Sequence, residues 1–302
     1  MKRRVFPRCL VGVAVAAVAC NAVLGIEEPN LIQPRPQDAT GSEGGGAGSE
    51  GGGAGNDGGA DALSPCSARG DPPGTMVLIP EGTYMMGWEA GTAAERPVHP
   101  ETVAAFCMDV TEVTVGAYEA CVGAGTCLPL NPDAGAQCNR GAARGDHPIN
   151  CVDWNEAIMY CAWAGKRLPT EEEWEYAARG TDGHRNPWGN EEPIDHLCWM
   201  RPEAGTCVVG AYPKDRSPFQ ILDLAGNVLE WTSSPWRPSY DASTDNKYRM
   251  QRGSAHYGTG GAVVGADGAV PDAGTNIRAT VRSSLGPTGR APILGFRCAL
   301  SP

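Results

Sequence analysis

Apolar residues fall at helical spacing in three stretches of this chain. In GKRLPTEEEWEYAARG, residues 165–180, Trp174, Ala177 and Ala178 recur at that spacing, with Thr170 as N-cap and Glu173 three residues on. Glu171, Glu172 and Glu173 place negative charge on the first turn, where the helix dipole favours it, and Gly180 stops the run after Arg179. CVDWNEAIMYCAWAG, residues 151–165, predicts a second helix. Asp153 caps it, Glu156 completes the capping box, and Trp154, Ala157, Ile158 and Cys161 form its buried stripe. EVTVGAYEACVGAG, residues 112–125, predicts a third that starts near Thr114 and stops at glycine.

Elsewhere the pattern is that of strands. TMVLIPEGTYMMG, residues 75–87, has two short apolar runs around Pro80–Gly82 and predicts a hairpin. After Gly180 the helical signal vanishes. Short strands are expected at 228–233, 247–255, 277–283 and 294–300, separated by Gly-, Pro- and Asp-rich loops. The fold class is therefore α+β, with few helices and much irregular loop.

The chain opens differently. MKRRVFPRCLVGVAVAAVACN has a basic start and then an apolar run from Cys9 to Cys20, too short to span a membrane in the usual way. Residues 1–20 read as a secretory signal. AVAC at 17–20 resembles a bacterial lipobox, which makes Cys20 the lipidation candidate, with ordinary cleavage nearby as the alternative. Residues 21–65 read as a Gly/Ser/Ala-rich acidic tether: GSEGGGA occurs twice, at 41–54, and apolar side chains are too few to offset the entropy of folding. The globular domain is expected over 66–302. The location implied is the cell envelope, as a lipoprotein facing the periplasm or the outside, or else secretion.

A net charge of −11 over 302 residues argues against nucleic acid or an anionic membrane surface as partner, so any membrane contact runs through a lipid anchor alone. The twelve cysteines change the picture more. Ten follow residue 65, an even count in an exported chain, and no CxxC pair suggests zinc. Cys198 and Cys207 frame a Pro/Gly loop that suits closure, and Cys66 and Cys107 make a second plausible pair. Cys121, Cys127, Cys138 and Cys151 are left to pair in one of three ways.

Seven blocks carry a resemblance: MVLIPEGTYMMG, TEVTVGAYEAC, HPINCVDWNEAIMYCAWAG, GKRLPTEEEWEYAARG, DLAGNVLEWTSS, RGSA and LGFRCAL. In this order they resemble the formylglycine-generating enzymes, or sulfatase-modifying factors, across residues 75–300. The resemblance implies a compact variant of the C-type lectin-like fold with short antiparallel strands, and a Cys161–Cys298 disulfide (a buried free thiol at Cys161 being the alternative). It also implies an oxidase that uses copper on two cysteines to turn a sulfatase cysteine into formylglycine. Here those positions are degenerate. His256 and Tyr257 stand where the first cysteine belongs, and the insert 258–275 holds no second. A second family disulfide would join positions 178 and 279, and both are alanine. Copper is therefore not expected: it needs soft sulfur, and one histidine does not replace two thiolates.

The resemblance further implies a calcium loop at AGNVLEW, with Asn227, Val228 and Glu230 as ligands. The alternative is a turn at Asn227 and a Glu230–arginine pair. Arg282 and Arg297 either line a peptide groove or form buried ion pairs with Glu173, Glu175 or Asp153, the reading favoured here. Trp154, Trp163, Trp174, Trp188, Trp199, Trp231 and Trp236 suit core packing better than sugar stacking. The five histidines show no metal-binding spacing. Two functions stay open: a non-catalytic binding or accessory module for a peptide, protein or glycan, or a formylglycine-type oxidase.

Overall fold

Each helix begins where a side chain caps it. In the computed structural model of the protein, which describes residues 66, 75–130, 135–193, 196–199, 205–256 and 277–302, α1 is Val115–Gly123, α2 is Trp154–Trp163 and α3 is Glu171–Arg179. Thr114 Oγ1 accepts from Ala117 N at 3.2 Å. Asp153 and Glu156 exchange bonds of 3.0 and 2.8 Å, and Thr170 and Glu173 exchange bonds of 3.1 and 2.8 Å. Both pairs are capping boxes, satisfying N–H groups that a helix start leaves unpaired.

The strands among the described residues are β1 (Met76–Ile79), β2 (Gly82–Met86), β3 (His99–Val103), β4 (Phe106–Asp109), β5 (Leu229–Trp236), β6 (Asp245–Arg252), β7 (Arg282–Leu285), β8 (Leu294–Gly295) and β9 (Ala299–Leu300). They form three sheets, ordered β1-β4-β9, β2-β3 and β7-β6-β5-β8. The expected hairpin at 75–87 is not formed: β1 pairs with β4, and β2 with β3. Pro80, which has no N–H, follows β1, and the two strands bring Ile79, Tyr84 and Met86 to one core from separate sheets. The strand expected at 277–283 begins only at Arg282, after turns over 277–280, and the one expected at 294–300 divides into β8 and β9. Most pairings are antiparallel, but β5–β8 is parallel.

Two main clusters of buried side chains hold these elements. One joins α1 and α2 to β5 and β8 through Val115, Tyr118, Ala157, Trp231, Leu294 and Phe296. The other packs α3 against β1, β2 and β4 through Ile79, Met86, Phe106, Met108, Trp174 and Ala178. Each large apolar side chain fully buried contributes roughly 1.5–3 kcal/mol. In α2, Ala157 and Cys161 are buried, as are Tyr160 and Glu156, while Trp154 and Ile158 are half-buried. Trp174 and Trp231 are fully buried core residues, whereas Trp163 is 40% exposed.

Five disulfides add covalent ties. Cys161–Cys298, Cys198–Cys207 and Cys66–Cys107 are bonded, and of the three arrangements open to the remaining four the structure has Cys121–Cys127 with Cys138–Cys151. Cys161–Cys298 crosses the first cluster and links α2 to the residue before β9.

Candidate functional site

The candidate site is the region where α3 meets β5, β6 and β7, which adjoins Asn227 and His256, two positions the resemblance singles out. α3 has no solvent face in the usual sense. Its apolar side carries Trp174, Ala177 and Ala178, and its carboxylates Glu171 and Glu175, four residues apart on one side, are also fully buried. They meet arginines. Arg282 Nε and Nη2 donate to Glu171 at 2.5 and 3.0 Å. Arg252, fully buried, donates to Glu171 at 3.3 Å and to Glu175, which Arg179 also reaches at 2.5 Å. Tyr240 Oη donates to Glu175 at 3.2 Å, and so does the Gly87 N–H at 2.8 Å.

Burial alone would push the Glu175 carboxyl up, but Arg252 and Arg179 hold it below its ordinary value. Burial works most strongly against the Arg252 charge, but Glu175 together with Tyr240, Glu171 and Tyr84 more than offsets it, so its pKa is raised. A neighbouring group repeats the design. Arg278 donates to Glu95 at 2.9 Å and Thr280 Oγ1 does so at 2.6 Å, fastening the turn at 93–95 to the approach of β7.

Arg282 thus lies in an ion pair, with Glu171 rather than Glu173, Glu175 or Asp153 as partner. Glu173 is already committed to capping Thr170 and to Arg167, at 2.6 and 2.7 Å, and Asp153 to Arg290 at 2.6 Å. Arg297 pairs with Glu230. Its Nε and Nη2 donate to the two carboxylate oxygens at 2.7 Å each, and its remaining N–H groups go to the carbonyls of Asp109, Val110, Leu222 and Asp223.

Those bonds bear on the calcium loop expected from resemblance. Glu230 also accepts from Trp174 Nε1 at 2.8 Å, so both its oxygens are taken by N–H donors. Asn227 Oδ1 accepts from Cys207 N at 3.0 Å, and its carbonyl accepts from His256 N and Nδ1 at 2.9 and 2.8 Å. Asn227 sits at φ 50°, a turn conformation that Asn tolerates. Val228 is buried just before β5. A hard cation held by Asn227, Val228 and Glu230, the ligand set expected from resemblance, would have to displace a bidentate guanidinium from the one carboxylate in the set. We expect chelator to leave the melting temperature unchanged. A melt lowered by chelator and restored by added calcium would establish the loop as a metal site.

His256 is buried, and because a carbonyl only accepts, Nδ1 carries the hydrogen it gives to Asn227 O. Gly226 makes room for this loop. It has φ 81°, and a Cβ there would stand 2.5 Å from the Cys198 carbonyl oxygen. Ala178 and Ala279 are both fully buried in the same cluster, so apolar packing fills the positions of the family's second disulfide. Tyr257, the insert 258–275, the signal 1–20 with Cys20, and the tether 21–65 lie outside the described residues. All ten cysteines among the described residues are in disulfides, and none stands between Arg252 and Arg297. The described residues do not fit a copper–thiolate centre.

The description "Sulfatase-modifying factor enzyme 1-like domain" matches residues 62–302. The chain belongs to this family. Within the sulfatase-modifying factor family it is 32% identical to the formylglycine-generating enzyme of Streptomyces coelicolor, over 79% of this chain and 91% of that protein. It is 39% identical over 166 residues to the "Inactive C-alpha-formylglycine-generating enzyme 2" of Bos taurus, covering 51% of this chain and 50% of that one. The chain thus spans about half the length of several curated relatives it matches. Among solved structures it is similar to PvdO from Pseudomonas aeruginosa, with a TM-score of 0.60 and 25% identity over 75% of this chain and 94% of that one. The architecture is that of the family, an α+β variant of the C-type lectin-like fold.

Sequence reasoning missed Arg252, Glu171 and Glu175 as a buried unit. A signal existed: Arg252 alternates with Met250 on a strand, and the two glutamates share a helix side.

Proposed function

We propose that this is an exported, lipid-tethered sulfatase-modifying-factor domain acting as a binding or accessory module without formylglycine-forming chemistry. The observation that carries the reading is the state of its sulfur. A soft cuprous ion needs thiolates, and every cysteine among the described residues is already oxidised to a disulfide. The family contains a relative whose own name marks it inactive. Lipidation at Cys20 and the run to Cys66, read as a flexible tether, give the domain a reach of about 35–40 Å from the membrane. The ligand class is a peptide, protein or glycan rather than nucleic acid.

A second reading, a formylglycine-type oxidase, is favoured by the 32% identity to the Streptomyces coelicolor enzyme across most of its length. The test is incubation of the domain with copper, oxygen and a Cys-x-Pro-x-Arg peptide, followed by mass analysis for loss of the thiol. We expect no turnover. Turnover abolished by changing His256 or Tyr257 would establish the oxidase instead.

A further inference from the structure

Four carboxyl groups converge beneath the segment 210–225, and the charges around them do not balance. Glu112, from the residues before α1, is 2% exposed. Asp215 and Asp223 come from the segment itself and Glu230 from β5, all equally buried. Arg297 is the cation that reaches this group, and it is committed to Glu230 through two bonds of 2.7 Å. Asp109, three residues before Glu112, is matched separately by Lys166 at 2.8 Å. Glu112, Asp215 and Asp223 therefore share a single counter-ion that is already paired with Glu230. Asp223 Oδ2 accepts the Gly210 N–H at 2.5 Å, and Asp215 Oδ2 has only a long bond, 3.4 Å, from Ala225 N. Asp215 Oδ1 and both oxygens of Glu112 are buried without a donor.

An ionised carboxylate in that position costs several kcal/mol, so the group keeps a proton instead. We propose that Glu112 holds its proton at neutral pH, and that losing it in alkaline solution unbolts the segment 210–225 from the body of the domain. Glu112 is the member to ionise with most effect. Little more than its own backbone N–H would steady the charge, and Asp223, held at φ 57° with its carbonyl on Arg297, is the anion that acts on it most strongly. Asp223 and Leu222 are also the residues that fix the segment, through Gly210 N, Arg297 and the Leu222 N–H to Val110 O at 2.8 Å. Repulsion between Glu112 and Asp223 pushes on those same bonds. The segment leads into Asn227, which pins His256, so the proton controls the face that carries the degenerate catalytic position.

Burial, then Asp223, raise the Glu112 carboxyl well above its ordinary range, and burial does the same for Asp215. The sign follows. A carboxyl whose folded pKa is raised gives stability that is complete below its unfolded value of about 4.3 and is lost as pH rises through the folded value. Three measurements test this on the full domain. Infrared difference spectra at neutral pH should show the protonated-carboxyl stretch, with its deuterium shift, and Glu112→Gln should remove part of it. The wild-type melting temperature should fall between about pH 5 and about pH 9, and Glu112→Gln should remove part of that fall and melt about 2–4 °C or more higher at the alkaline end. Hydrogen exchange over 210–225, corrected for intrinsic rates, should show opening at alkaline pH in the wild type but not in the variant. Glu81→Gln, at an exposed carboxylate, should behave as wild type in all three. No protonated band in the wild type, or a band unchanged by Glu112→Gln, would overturn the proposal whether or not the variant folds well. So would a wild-type melt that rises with pH.

Discussion

Replacing Arg252 by alanine should cost about 3–5 kcal/mol, a large share of the stability of a typical domain. The arginine has no exposed surface, and its partners Glu171 and Glu175 have none either. Removing it leaves carboxylates in the interior that only Arg282 and Arg179 still face, and the cost is that of an uncompensated buried charge rather than of one lost contact. Arg237→Ala is the contrast. It pairs with Glu172 at 3.1 Å, but the two side chains are 31% and 23% exposed, so water replaces much of what is lost and the change should stay within about 1 kcal/mol. Denaturant unfolding at neutral pH measures both. Equal effects would mean that the buried network is not what holds α3 to the strands.

The Cys161→Ala/Cys298→Ala double variant should be the most damaging loss of a disulfide. The bond closes a separation of 137 residues, against six for Cys121–Cys127. Loop-closure entropy alone sets up to about 5 kcal/mol for the long loop and about 2 kcal/mol for the short one. Thermal melts of the two double variants, run without reductant, should rank them in that order. The reverse ranking would show that packing around the sulfurs, and not the length of chain they close, governs these bonds.

Local signals were legible in the sequence wherever one residue's side chain answers its neighbours. Thr114, Asp153 and Thr170 each mark a helix start, because capping is chemistry within four residues. The strand partners were not legible. Nothing local says that Met76–Ile79 will pair with Phe106–Asp109 rather than with the next run, because that choice is made by a core assembled from distant segments. The polar side of α3 misled for a related reason. Three glutamates on a first turn look like a solvated, dipole-favoured face, yet Glu171 faces Arg252 and Arg282, more than 80 residues away in the chain. The pairing of Glu230 with Arg297 was visible only as the alternative to calcium. Glu112, Asp215 and Asp223 gave no signal at all, since ordinary acidic residues scattered over more than a hundred positions become a cluster only on folding.

The bond between Cys66 and Cys107 also decides how the domain carries a load. Tension arriving along the chain from the N-terminal side would otherwise enter at Met76 and peel β1 away one residue at a time, like a zip opened from its end. The bridge intercepts it. Cys107 lies in β4, the middle strand of its sheet, opposite Leu78 on one side and Leu300 on the other. A pull on residue 66 therefore reaches a strand flanked by two others, whose hydrogen bonds must shear together. A domain wired this way resists being unravelled by a pull on its N-terminal side.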